Sequence, residues 1–235
     1  DEIQPIKKNA KFFTQKQLED LKFDALKMHK KNRLDKAVNY YKKLIKYGLK
    51  DTEVFLNLYQ IYKQQVRIKD SYIIYKIIIK DTNFSYEELT IDFLSFLLNN
   101  ETLELANEIV IESYNHNKSN ERVISFYSKL LIERNKTNLA LNLLKKGLEK
   151  NPSSVIILCN VGYILQSLRK FDLAISYYKK ALIIKPEDYL VLFNIATCYE
   201  EIFDFASAID HYKKSLKRKS NNPEAYRALG NIYFN

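Results

Sequence analysis

Side chains able to do chemistry are few in this chain, and they do not gather. The only histidines are His29, His116 and His211, and the only thiols are Cys159 and Cys198. His211 follows Asp210 and shares a stretch with Cys198, the nearest approach to a thiol activated by an imidazole. The whole sequence holds four glycines, so no glycine-rich turn is available to stabilise an oxyanion or cradle a phosphate. The adjacent carboxylates Glu87-Glu88 and Glu200-Glu201 would diverge by about 100 degrees on a helix, too far to share one proton. No close His/Cys spacing offers a metal its ligands. These groups read as solvated or packed side chains. No catalytic residue, metal or cofactor is expected, and the chain is not expected to be an enzyme.

What does recur is a framework. Ala37, Ser71, Ala106, Ala140, Ala174 and Ala208 are spaced by 34, 35, 34, 34 and 34 residues. Four places after each comes a large apolar residue: Tyr41, Tyr75, Val110, Leu144, Tyr178 and Tyr212. One supersecondary unit is therefore repeated. The units run 18–51, 52–85, 87–120, 121–154, 155–188 and 189–222, with one extra residue at Tyr86 and a partial seventh over 223–235; residues 1–17 are a lead-in and the start of the first helix.

Within 155–188, Leu158, Val161, Gly162 and Leu165 fall at helical spacing, Arg169 and Lys170 make a polar turn, and Ala174, Tyr178 and Ala181 follow at the same spacing before Pro186. Each unit is thus predicted to be two antiparallel amphipathic helices. Ala25, Ser128, Gly162, Ala196 and Gly230 all fall eight places into their units, where a small side chain lets the partner helix come close. Punctuation agrees. Asn222-Pro223-Glu224 reads as a cap with proline in the first turn, Thr14 with Gln17 and Ser85 with Glu88 have capping-box spacing, and Pro152 and Pro186 stop the helices before them.

This pattern resembles the tetratricopeptide repeat, closely over 121–235 and more loosely over 18–120. In the looser part Asp24 stands for an apolar residue, and Tyr59 and Leu94 stand for the small one. The resemblance implies an all-α fold: a right-handed superhelical solenoid of antiparallel helix pairs, six units plus the first helix of a seventh. It also implies that first helices line a concave groove through the fifth, sixth and ninth places of each unit. The sixth places hold Phe23, Asn57, Asp92, Phe126, Asn160, Asn194 and Ala228.

An asparagine amide both donates and accepts, so a ladder of amides can hold an extended chain by its backbone. Asn57, Asn160 and Asn194 correspond in part to the asparagine ladder of O-linked N-acetylglucosamine transferase repeat arrays. With Tyr163, Phe193, Thr197, Arg227 and Asn231 they form the candidate peptide-binding set. Chaperone-binding members of the family grip a C-terminal carboxylate with Lys and Asn on successive helices. Here Cys159 and Tyr163 occupy the first such places and Glu224 and Ala228 the last, so only Asn194 matches and that partner is disfavoured.

The net charge of +10 is uneven. Residues 1–85 carry 19 Lys+Arg against 10 Asp+Glu, residues 86–154 carry 8 against 10, and residues 155–235 carry 11 against 8. Lys42-Lys43, Lys145-Lys146, Lys179-Lys180 and Lys213-Lys214 recur at one place in their units, on the second helix that the resemblance puts on the convex side. Such a stripe could follow phosphates. It is read first as solubilising charge on an exposed helix, and nucleic acid and membrane are disfavoured as partners.

No run reaches the roughly 18 apolar residues of a membrane span, and two cysteines in a helical array require no disulfide framework. A reducing, cytoplasmic setting is expected. The chain opens at Asp1 without methionine, which reads as a processed or excised fragment. The function expected is a non-catalytic scaffold binding a protein or an extended peptide in its groove. The alternatives are the substrate-docking arm of a glycosyltransferase or sulfotransferase, and assembly through the basic face. Leu229, Gly230, Ile232, Tyr233 and Phe234 would leave an apolar strip bare, so pairing of two copies through the last helix is a further expectation.

Overall fold

The computed structural model describes residues 13–82 and 87–234. Among these, every regular element is an α-helix, in the order α1 (Gln15–Lys30), α2 (Leu34–Lys46), α3 (Thr52–Gln64), α4 (Ile68–Asp81), α5 (Glu87–Asn99), α6 (Leu103–His116), α7 (Glu121–Glu133), α8 (Thr137–Lys150), α9 (Val155–Ser167), α10 (Phe171–Ile184), α11 (Tyr189–Glu201), α12 (Phe205–Arg218) and α13 (Pro223–Phe234). The architecture is an all-α helical repeat solenoid. The chain divides into two compact units, Asp1–Asn100 and Glu101–Asn235, so that α1 to α5 belong to the first and α6 to α13 to the second.

Two kinds of helix end alternate along the chain, for different physical reasons. Apart from α5, whose start borders undescribed residues, the odd-numbered helices start at a side-chain cap, which satisfies amide N–H groups left without an intrahelical partner. Thr14 caps α1 with both arms of a capping box, and Asp51, Asn120, Ser154 and Asp188 cap α3, α7, α9 and α11. The Asn222 side chain accepts from the Ala225 amide, 3.2 Å, at the start of α13. The Ser85–Glu88 capping box lies outside the described residues at Ser85.

Turns inside a helix pair use backbone geometry, to which Asp204 adds a side-chain cap on α12, accepting from the Ser207 amide at 3.1 Å. Asn32, Val66, Glu101, Asn135, Arg169 and Phe203 all have φ between 54° and 63°, and they recur with the period of the chain. At Arg169 the amide donates to Gln166 O (2.9 Å) and the Lys170 amide to Leu165 O (2.8 Å), the paired bonds of a Schellman turn. The same pair of bonds closes the turns at Asn32, Val66, Asn135 and Phe203.

This left-handed conformation suits Asn and strains a β-branched residue. Val66 is more than half exposed, at 54%, so it gains little packing in return. Val66→Asn is therefore expected to stabilise the protein by about 1 kcal/mol, read as a higher denaturation midpoint. An unchanged or lower midpoint would show that the strain is not there.

In the first unit the core is aromatic. Tyr41, Tyr59, Tyr62, Tyr75 and Phe93 are essentially inaccessible. Phe93 lies 4.7 Å from Tyr75 and 5.8 Å from Tyr59, centroid to centroid, within the range of favourable ring pairs. Tyr59, standing where a small residue is usual, is accommodated because its hydroxyl finds an acceptor in Asp92, at 2.8 Å. Lys22 on α1 reaches Asp51 (2.7 Å) and Glu53 (2.5 Å) at the start of α3, joining consecutive helix pairs.

In the second unit one core cluster runs from Ile124 to Cys198 and another gathers around Ala196, Ala208, Tyr212, Ala225 and Leu229. Ala140, Ala174 and Ala208 are wholly buried, as are Leu144, Tyr178 and Tyr212 four places on. Gly162 supplies the close approach of α9 to α10. A Cβ built there would sit 2.6 Å from Tyr178 Cε1.

Candidate functional site

The first helices α7, α9 and α11 of the second unit are tied side by side through polar side chains. Asn160 Nδ2 on α9 donates to Ser125 Oγ on α7 at 2.8 Å. Gln166 Nε2 at the end of α9 donates to Thr197 Oγ1 on α11 at 2.9 Å, and Thr197 Oγ1 donates to its own helix at Asn194 O, 2.8 Å. From beneath, the Tyr178 hydroxyl of α10 donates to Gln166 Oε1 at 3.0 Å. Burial pushes the Tyr178 phenol far above the usual tyrosine range, and the Asn194 amide, bonding to it, acts in the opposite direction. A polar surface results whose groups are already oriented.

The sequence-predicted residues do not all share this surface. Asn160, Asn194 and Thr197 are half-buried members of the bonded network, and Tyr163 stands out from α9 with 59% of its surface exposed. Phe193 is also half-buried, but its ring lies 5.5 Å from Tyr212 and packs on the second core cluster, so much of its apolar area is already used. Arg227 and Asn231 are exposed on α13. Asn57 is half-buried on α3 and belongs to the first compact unit. There the next sixth-place residue, Asp92, accepts from Tyr59 and from Lys63 Nζ at 2.5 Å.

Gln166 is the residue that the sequence reading passed over. Its signal is a separation of twelve. Gln166 bonds Tyr178, Glu200 Oε2 accepts from the Tyr212 hydroxyl at 2.6 Å, and His29 Nδ1 lies 3.4 Å from the Tyr41 hydroxyl. The last turn of a first helix thus repeatedly holds the phenol of its partner helix.

The Cys-His pairing has no support in the geometry. Cys198 is wholly buried, which pushes its thiol up to about 12, and burial raises Cys159 to about 11; both stay protonated near neutral pH. His211 Nδ1 lies 2.8 Å from Ser207 O, and its ring lies 5.3 Å from Tyr199. Among the described residues no group of three or more His, Cys, Asp or Glu could hold a metal ion, and no helix is long and apolar enough to cross a membrane.

The tetratricopeptide repeat profile matches residues 153–221. No curated protein matches the chain. Solved structures do. A tetratricopeptide repeat protein from Parabacteroides merdae superposes with a TM-score of 0.66 at 16% identity, covering 92% of this chain and 86% of that one. MamA gives 0.55 at 16% identity over 74% of this chain and 94% of its own. YrrB, described as a tetratricopeptide repeat protein with an unusual peptide-binding site, gives 0.55 at 14% identity over 80% and 96%. Helix order, the Schellman turns and this likeness agree, and residues 153–221 are a segment of the tetratricopeptide repeat family within an all-helical repeat chain.

Proposed function

We propose that the protein is a non-catalytic scaffold whose second unit holds an extended segment of a protein partner across α7, α9 and α11. The observation that carries this is Tyr163. It is an aromatic ring left 59% exposed on the helix that carries Asn160 and Gln166, beside amides and hydroxyls already held in place. An exposed ring on a rigid polar surface offers large contact area at low entropic cost, and the amides can pair with a peptide backbone. The peptide-binding site described for YrrB supports the reading by likeness of fold.

Free thiols at Cys159 and Cys198 suit a reducing, cytoplasmic setting. Pairing of two copies through α13 belongs to the same reading, since Tyr226, Tyr233 and Phe234 are exposed there; sedimentation at rising concentration tests it.

A photocrosslinking phenylalanine analogue at position 163 should capture the partner segment, whose affinity is then measured by titration. Replacing Asn160 and Asn194 together by alanine should weaken that segment by at least about 1 kcal/mol, two backbone contacts of ~0.5–1.5 kcal/mol each being lost. Unchanged affinity with the fold intact removes this face from consideration.

A further inference from the structure

A separate face of the second unit carries a hollow of about 520 Å³, lined by Tyr114, Tyr127, Leu131, Leu139, Leu143 and Asn142, with Lys145, Lys146 and Glu149 also at its wall. Tyr114 and Tyr127 lie 5.6 Å apart, ring to ring, and Leu139 at the edge is exposed.

Comparison with the next repeat explains why there is space. One period on, Leu143 becomes Tyr177 and Lys146 becomes Lys180. There the half-buried Tyr177 ring packs on the core, and Lys180 Nζ sits 5.1 Å above it. In the earlier repeat the lysine is retained and the ring is not. Lys145 and Lys146 are both exposed, and neither has an ion-pair partner among the described residues. They open a row continued in register by Lys179-Lys180 and Lys213-Lys214.

We propose that this hollow is a docking site for an acidic protein segment that inserts one aromatic side chain, tyrosine in preference. The ring takes the place that Tyr177 fills from within in the following repeat, under the Lys146 ammonium, which is attracted to the ring face. Carboxylates on either side of the ring meet Lys145 and Lys146, and Glu149 offers an acceptor for a phenol O–H. The site is distinct from the face of α7, α9 and α11, and binding here does not depend on that reading.

The probe is a fluorescein-labelled peptide with one central tyrosine flanked by aspartate and glutamate, followed by anisotropy on the whole chain. Changing its tyrosine to alanine should weaken binding about 10-fold, the loss of a buried ring being worth at least that much. Leu143→Tyr, which fills the hollow with the residue of the next repeat, should weaken the parent peptide by a similar factor, and Lys146→Glu should do so as well. Asn160→Ala with Asn194→Ala should leave it unchanged.

The proposal is overturned if the alanine peptide binds as well as its parent, or if a folded Leu143→Tyr protein binds as tightly as the wild type. It is equally overturned if an oligonucleotide of equal charge competes as well as the parent peptide, or if no binding is detected. The two peptides compared on the wild-type protein decide the matter even where Leu143→Tyr does not fold.

Discussion

Gly162→Ala lowers stability by about 1–3 kcal/mol, the usual penalty for overpacking a core. A Cβ at Gly162 would meet Cε1, Cδ1 and Cζ of Tyr178 at 2.6, 2.8 and 2.8 Å. That ring cannot step aside cheaply, because it is wholly buried and its hydroxyl is held by Gln166 on the same α9. Urea titration of the variant beside the parent checks this, and an unchanged or higher midpoint would refute it.

Ala174→Leu is expected to cost about 1–3 kcal/mol or more, because extra methylenes must enter a filled core. Ala174 is inaccessible and shares its cluster with Val161, Leu165 and Tyr178. Lys179→Leu, five residues on, should change stability by no more than about 1 kcal/mol, the upper worth of an exposed cation over a ring. The Lys179 ammonium lies 5.6 Å above Tyr199 and is otherwise in solvent. Thermal melts of both variants decide. Comparable losses would mean that the faces of α10 are assigned wrongly.

The helices were legible because two signals coincide in them. Apolar residues at helical spacing end at residues that cap by side chain, as at Thr14 and Asn222, so pattern and chemistry mark the same boundary. The left-handed turn residues were not legible, since Val66, Arg169 and Phe203 have no liking for that conformation; two hydrogen bonds from their helix ends impose it. For the binding face, Tyr163, Asn160 and Asn194 could be chosen from the register. What each amide bonds to could not, because Ser125 lies one period from Asn160 and Tyr178 lies one helix from Asn194. The hollow beside Leu143 escaped for another reason. It is made by an aliphatic side chain where the following repeat has a ring, and a missing volume leaves no mark in a periodic pattern.

The alternation of helix ends also bears on how the chain reaches this state. A turn closed by backbone bonds at Arg169 or Asn135 joins helices adjacent in sequence, and the helices that touch within each unit are neighbours or next neighbours along the chain. Closing such short loops costs little chain entropy, since that cost grows only with the logarithm of loop length. Folding should therefore be rapid and able to start at any pair, as in other low-contact-order proteins. Amide exchange would then fall into blocks, with the α9–α10 pair opening least often.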